Sequence, residues 1–190
     1  MSWATTSSQP RIVYLSTSMN SLVSKNIVRF IFILFVQLVL LKRINLTFGD
    51  FNYIHLTIYP ILIILLPYTM PRVLLIATAF GLGLFVDIFY DSLGVHAGTC
   101  SLMAFLRHYI LQAIAPRSGY RGEVLTSYQY SVSWLLTYVA SFLFIHLLVL
   151  YSLEAFSFVY FVEIALRTIF SFIASLFLVM IGYLIFNPKY

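Results

Sequence analysis

The stretch from Pro67 to Ile114, PYTMPRVLLIATAFGLGLFVDIFYDSLGVHAGTCSLMAFLRHYILQAI, decides how this chain folds. It reads as an apolar helix, a tight turn at Ser92-Leu93-Gly94, and a second apolar helix running back. Val73 to Tyr90 gives roughly 27 Å of helix at about 1.5 Å per residue, and Val95 to Ala115 gives slightly more. Either is long enough to cross a hydrocarbon core of roughly 30 Å. The hairpin also carries Asp87 and Asp91 before the turn, His96 just after it, and Arg107 well inside the second helix. Ionisable groups at such depth cost at least about 2.5 kcal/mol each on insertion scales, so they face protein and have a purpose.

The rest of the chain agrees with a membrane bundle. Of 190 residues, 62% are hydrophobic and 9% charged, with mean hydropathy +0.97. Soluble domains carry about 25% charged residues. The expected fold is an all-α integral membrane protein, a compact bundle of about six transmembrane helices with no sizeable soluble domain. The net charge of +5 reflects basic loops and not nucleic-acid binding, because no basic run exists. Cys100 is the single cysteine, so no disulfide forms within the chain.

Residues 1–18 are polar, rich in Ser and Thr, and lack the apolar core of a secretory signal. They read as a disordered extension preceding one polytopic domain, 19–190. Spans are expected over Leu22–Leu41, Ile54–Met70, the two hairpin helices, Tyr130–Leu150 and Arg167–Phe186. Asn45–Tyr53 reads as a loop, and Phe156–Glu163 as a segment along the interface. The second run is short and contains Pro60, which kinks or breaks it unless neighbours satisfy the freed carbonyl. Six spans place Arg11, Lys25, Arg29, Arg72, Arg117, Arg121 and Lys189 on one side against Lys42 and Arg43 on the other. That bias puts both termini in the cytoplasm.

Asp87 and Asp91 are one turn apart on one helix face. A proton or cation site between them is one reading. The other, favoured by depth, has Asp91 in solvent and Asp87 hydrogen-bonded to the neighbouring helix, with Thr99 and Ser101 as donors. On that reading Asp87→Asn is tolerated and Asp87→Leu is not. About 12 Å of helix separates the level of Asp87 from Arg107, so a direct pair within the hairpin is not expected. Arg107-His108 reads as an anchor that snorkels to the headgroups, with an acidic partner from another helix as the sharper option. His96 reads as a cap or turn contact. Glu163 and Arg167 are spaced for a local ion pair. Ala77, Ala79, Gly81 and Gly83 form a small-residue face for close helix approach, and Gly94 belongs to the turn. Tyr128, Tyr130, Trp134, Tyr183 and Tyr190 sit where aromatic belts form. His55, His96, His108 and His146 lack metal-ligand spacing, and no catalytic motif is present, so neither cofactor nor enzymatic chemistry is expected.

Pro71-Arg72 opens an apolar helix, followed by Gly83, Asp87, Ile88, Asp91, Leu93-Gly94, His96, Ala97 and a long apolar helix. This pattern resembles the bacterial rod shape-determining MreD family. Met19-Asn20-Ser21 before Ile27, with Pro60 and Pro67 in the second run, fits its Bacteroidetes-like members. The resemblance covers about residues 19 to 188, and residues 1–18 depart from it. It implies a multi-pass inner-membrane protein that binds MreC and works with RodA, its partner transpeptidase and MreB in building lateral-wall peptidoglycan. It further implies a fold similar to the substrate-binding subunits of energy-coupling-factor vitamin transporters. Two functions follow as expectations. One is a non-enzymatic scaffold of the elongation complex. The other is a transport component with an outward-facing solute site, for which Asp87, Thr99, Ser101 and Gln112 are the polar candidates.

Overall fold

A computed structural model describes residues 28, 30–43, 45–48, 51–116, 119–120, 130–156 and 158–186. The polar extension 1–18 and the aromatic belt positions Tyr128 and Tyr190 lie outside them, as does the side chain of Tyr183. The described chain is mostly helical, and three of its helices are long and apolar enough to cross a membrane.

The first helical stretch, α1 (30–43), begins as α-helix. It widens to a π-helix over Val36–Leu40 and closes as a 3-10 turn at Leu41–Arg43. Two short strands follow, β1 (Asn45–Phe48) and β2 (Phe51–His55), where a loop is expected from sequence. They pair antiparallel with Asn45 opposite His55 and Leu46 opposite Ile54.

The second apolar run is not a helix across its length. Only α2 (Pro60–Ile64) is helical, and all five of its residues are buried. Pro60 does not kink a helix here; it starts one, at the position where a missing N–H is harmless. The run is tied to two helices: the Thr57 N–H bonds Ser175 of the last helix, and the Leu66 carbonyl bonds Arg107 in the central hairpin.

The central hairpin is α3 (Arg72–Tyr90) and α4 (Val95–Ala113), antiparallel and in close contact. Asp91 ends α3 in the left-handed region at φ 53°, and Gly94 turns the chain into α4 at φ 83°. α4 is as long as α3 but more polar, and the helices that meet the membrane-crossing criterion are α3, α5 (Val132–Ala155) and α6 (Phe161–Phe186). The segment read as interfacial becomes a 3-10 turn at Phe158–Tyr160 and the start of α6. Glu163 and Arg167 form the expected ion pair at 2.8 Å.

The core is filled by side chains from α2, α3, α4 and α5, among them Tyr59, Leu62, Met103, Tyr138, Phe142 and Leu147. At the end away from the turn, Tyr130 stacks near Trp134, whose ring in turn lies on Tyr138. Tyr120 joins this cluster, and its partial burial beside Tyr68, Tyr138 and Tyr130 pushes its phenol up to about 12.

The small-residue face needs a correction. Ala77 and Gly81 are exposed, and nothing lies within 4 Å of a Cβ built on Gly81. Ala79 and Gly83 are the buried pair, on the stripe Leu75, Ala79, Leu82, Val86, Asp87. A helix has one inward face, and residues two apart cannot share it. A Cβ on Gly83 would sit 2.4 Å from Ala97 Cα and 2.5 Å from the His96 carbonyl oxygen, so α3 meets the backbone of α4 directly. Gly83→Ala is expected to destabilise the protein by about 1–3 kcal/mol, the usual range for overpacking. Gly81→Ala is expected to be neutral or stabilising by up to about 1 kcal/mol, since helical glycine carries extra chain entropy. Thermal unfolding in detergent compares the two, and equal behaviour would contradict the close approach.

Candidate functional site

Asp87 is 5% exposed and lies one turn before the end of α3. Its Oδ1 accepts from the Ser92 hydroxyl at 2.6 Å and the His96 backbone N–H at 2.9 Å, with His96 Nδ1 at 3.0 Å. Its Oδ2 accepts from the Ala97 N–H at 2.9 Å. Gly94 is the N-cap of α4, so His96 and Ala97 are its second and third residues. Their amides are the unpaired donors of any helix start, which a carboxylate satisfies while also meeting the positive end of the helix dipole. Asp87 therefore caps α4 from α3 across the turn.

The role of pinning the two helices agrees with expectation, but the donors do not. Thr99 bonds back to the Val95 carbonyl at 2.8 Å, and Ser101 to that of Ala97 at 2.8 Å. Hydroxyls on a helix readily return to the carbonyl four residues earlier, which keeps both from Asp87. Asp91 is exposed, and His96 is the expected turn contact. Because each carboxylate oxygen of Asp87 meets a backbone donor, an amide cannot replace it without turning an NH2 group on an N–H. Asp87→Asn is therefore not the silent change expected from sequence.

Arg107 is corrected more fully. It is 2% exposed and does not snorkel, and no ion pair joins it to an acid among the described residues. Its guanidinium donates to the carbonyls of Leu66 at 2.6 Å, Ile64 at 3.3 Å and Pro67 at 3.4 Å, and to the Tyr138 hydroxyl at 3.1 Å. The Ile64 and Leu66 carbonyls lie where α2 does not continue, while that of Pro67 also accepts from the Met70 N–H. The fixed fork of donors suits several acceptors at once.

The other end of the non-helical run has its own supports. Gln37, in the π-helical turn of α1, accepts from the Ile58 N–H at 2.7 Å and donates to the Leu56 carbonyl at 3.2 Å. Its amide also reaches the Tyr90 hydroxyl at 2.8 Å. On α6, Ser171 accepts from the His55 N–H and the Tyr151 hydroxyl. Ser175 accepts from the Thr57 N–H and donates to the His55 carbonyl. Irregular backbone at membrane depth requires such partners. None of these three residues stands out in a hydropathy reading. The available signals are a single amide in an apolar helix and the Thr168, Ser171, Ser175 spacing along one face of α6.

A cavity of about 260 Å³ opens at the turn end of the bundle. Its walls include Lys42, His55, Tyr59, Tyr90, His96, Tyr151 and Glu154. Neither Asp87, Thr99, Ser101 nor Gln112 lines it, so the polar candidates named for a solute site are not brought together there. Gln112 pairs instead with His108 at 2.9 Å on the exposed side of α4. Lys42 donates to the Phe89 carbonyl and lies 5.3 Å from the centre of the Tyr90 ring. The Tyr59 hydroxyl meets His146 Nε2 at 2.8 Å in the core, and its ring lies edge-on to His96.

A second cavity of about 240 Å³ adjoins the first, sharing Tyr151 and Glu154, and is bordered by Glu163 and Arg167. No group of three or more His, Cys, Asp or Glu able to hold a metal occurs among the described residues. No protein-family model, curated protein or solved structure matches the chain.

Proposed function

We propose that the protein is a non-enzymatic membrane scaffold of the MreD kind, seated in the bacterial inner membrane and holding MreC at its outer side within the cell-wall elongation complex. The observation that carries this reading is the commitment of the buried Asp87 and Arg107 to the chain's own backbone. Asp87 closes the start of α4, and Arg107 closes the end of α2. Both bonds make a rigid shape, which is what a scaffold supplies to a partner. Leu93, 102% exposed at the tip of the locked turn, lies where such a partner would meet it. The resemblance in the hairpin supplies the partner's identity. RodA, its transpeptidase and MreB complete the proposed assembly.

The proposed topology has six crossings and both termini in the cytoplasm. It is supported by the excess of Lys and Arg that six crossings place on one side. Reporter fusions at Gly119 and after Tyr190 are expected to signal cytoplasm, and one at Gly94 the exterior. An exterior signal from Gly119 would refute it.

The test of function is co-isolation of MreC with the full chain from solubilised membranes. Retention of MreC, and its loss from an Asp87→Leu protein that remains monodisperse, is the expected result. Absence of MreC from the unsubstituted protein would end the scaffold reading. The cavity at the turn end favours a second reading, in which the chain receives a solute from outside.

A further inference from the structure

Two opposite charges face the cavity without reaching each other. Lys42 enters at the end of α1, beside α3, held by the Phe89 carbonyl and the Tyr90 ring. Glu154 enters from the last turn of α5, next to Tyr151. No ion pair joins them among the described residues, although Glu163 and Arg167 close by do pair. Lys42 keeps two ammonium N–H groups beyond the one bonded to Phe89. Tyr59, Tyr90 and Tyr151 line the same cavity.

We propose that this cavity binds a small zwitterion, a molecule whose ammonium group meets Glu154, whose anionic group meets Lys42, and whose apolar part lies against the tyrosines. Three features support the class. An anion alone would leave Glu154 facing it, and a cation alone would leave Lys42 facing it; a ligand carrying both charges satisfies both walls. Charge-assisted hydrogen bonds are about twice as strong as neutral ones, so the pair dominates selection. The size also fits. A cavity of about 150 Å³ admits benzene, and about 260 Å³ therefore holds an aromatic ring together with an amino-acid head group. Three of the other polar side chains are already engaged. Tyr59 is bonded to His146, Tyr151 to Ser171, and Gln37 to the backbone of 56 and 58.

A free amino acid and the head group of phosphatidylethanolamine share this chemistry. The inference rests on the solute-site reading and is independent of MreC. The purified full chain in detergent, titrated calorimetrically, gives the answer without any partner. The probes are L-phenylalanine, its des-amino analogue 3-phenylpropionate, its decarboxy analogue phenethylamine, and dihexanoyl phosphatidylethanolamine. The expected result is saturable binding of L-phenylalanine, with each single-charge analogue weaker by about tenfold or more, as loss of one charged contact implies. Glu154→Gln is expected to abolish the preference over 3-phenylpropionate, and Lys42→Gln the preference over phenethylamine. Both residues are exposed, so the variants should remain monodisperse on gel filtration.

Binding of the short-chain lipid with the same dependence on both residues, and none of phenylalanine, assigns the site to a head group and upholds the charge pair. No binding of any probe, or binding indifferent to both substitutions, overturns the proposal. Either of those results leaves the scaffold reading untouched, just as failure to isolate MreC leaves the zwitterion site standing.

Discussion

Asp87→Leu should lower the midpoint of thermal unfolding in detergent by roughly 4–12 °C. The carboxylate accepts from two backbone amides, a hydroxyl and an imidazole. Side-chain hydrogen bonds in membrane proteins average only about 0.6 kcal/mol each. The hydroxyl and imidazole contacts therefore contribute about 1 kcal/mol, and loss of the cap on the two amides adds about 0.5–2 kcal/mol. Leucine removes all four contacts and leaves the first amides of α4 without an acceptor, for a total of about 2–3 kcal/mol. A change of 1 kcal/mol shifts the midpoint by about 2–4 °C in a chain of this size.

Asp87→Asn should fall between, near 1 kcal/mol, because one amide oxygen can serve only one side of the cap. The order Asp, Asn, Leu in decreasing stability is the signature of capping. A stable Asn variant that unfolds like the unsubstituted protein but loses biological activity would instead assign the charge to a proton or cation site.

Substitution of Arg107 is the second large effect. Arg107→Met leaves the carbonyls of Ile64 and Leu66 without the donor that Arg107 supplies, while that of Pro67 keeps the Met70 N–H. At about 1 kcal/mol or more per unsatisfied group, the loss is about 2 kcal/mol. Arg107→Lys keeps the charge but replaces a planar fork by a single centre, so it should recover only part of that stability. A snorkelling anchor predicts a different order, with Lys equal to Arg and Met nearly harmless. Thermal unfolding and the yield of monodisperse protein distinguish the two. Equality of Lys and Arg would remove Arg107 from its place at the end of α2.

These two residues also separate what can be read locally from what cannot. Both stand out in the sequence as charges in apolar helices, and the depth of Asp87 points to the neighbouring helix. Its partners there are not legible, because the level of a residue across a hairpin is set by the turn. Asp91 and Gly94 take left-handed conformations that start α4 beside Asp87 and bring its amides, not the hydroxyls of Thr99 and Ser101, to the carboxylate. Gly83 and Gly81 differ for a similar reason. Composition makes them equivalent, while the rotation of α3 buries one and exposes the other.

The membrane character, the hairpin over residues 72–113, the turn and the Glu163–Arg167 pair are properties of neighbouring residues. Hydropathy and a helical repeat are legible within one or two turns, so the sequence by itself determined them. The passage through α2, the placement of Gln37, Ser171 and Ser175, and the cavity between Lys42 and Glu154 belong to the tertiary structure. The bonds that hold residues 55–58 and 64–67 join positions separated by 19 to 120 residues. A buried backbone group takes whichever donor or acceptor packing brings within reach, and no local pattern in the chain states which one that is.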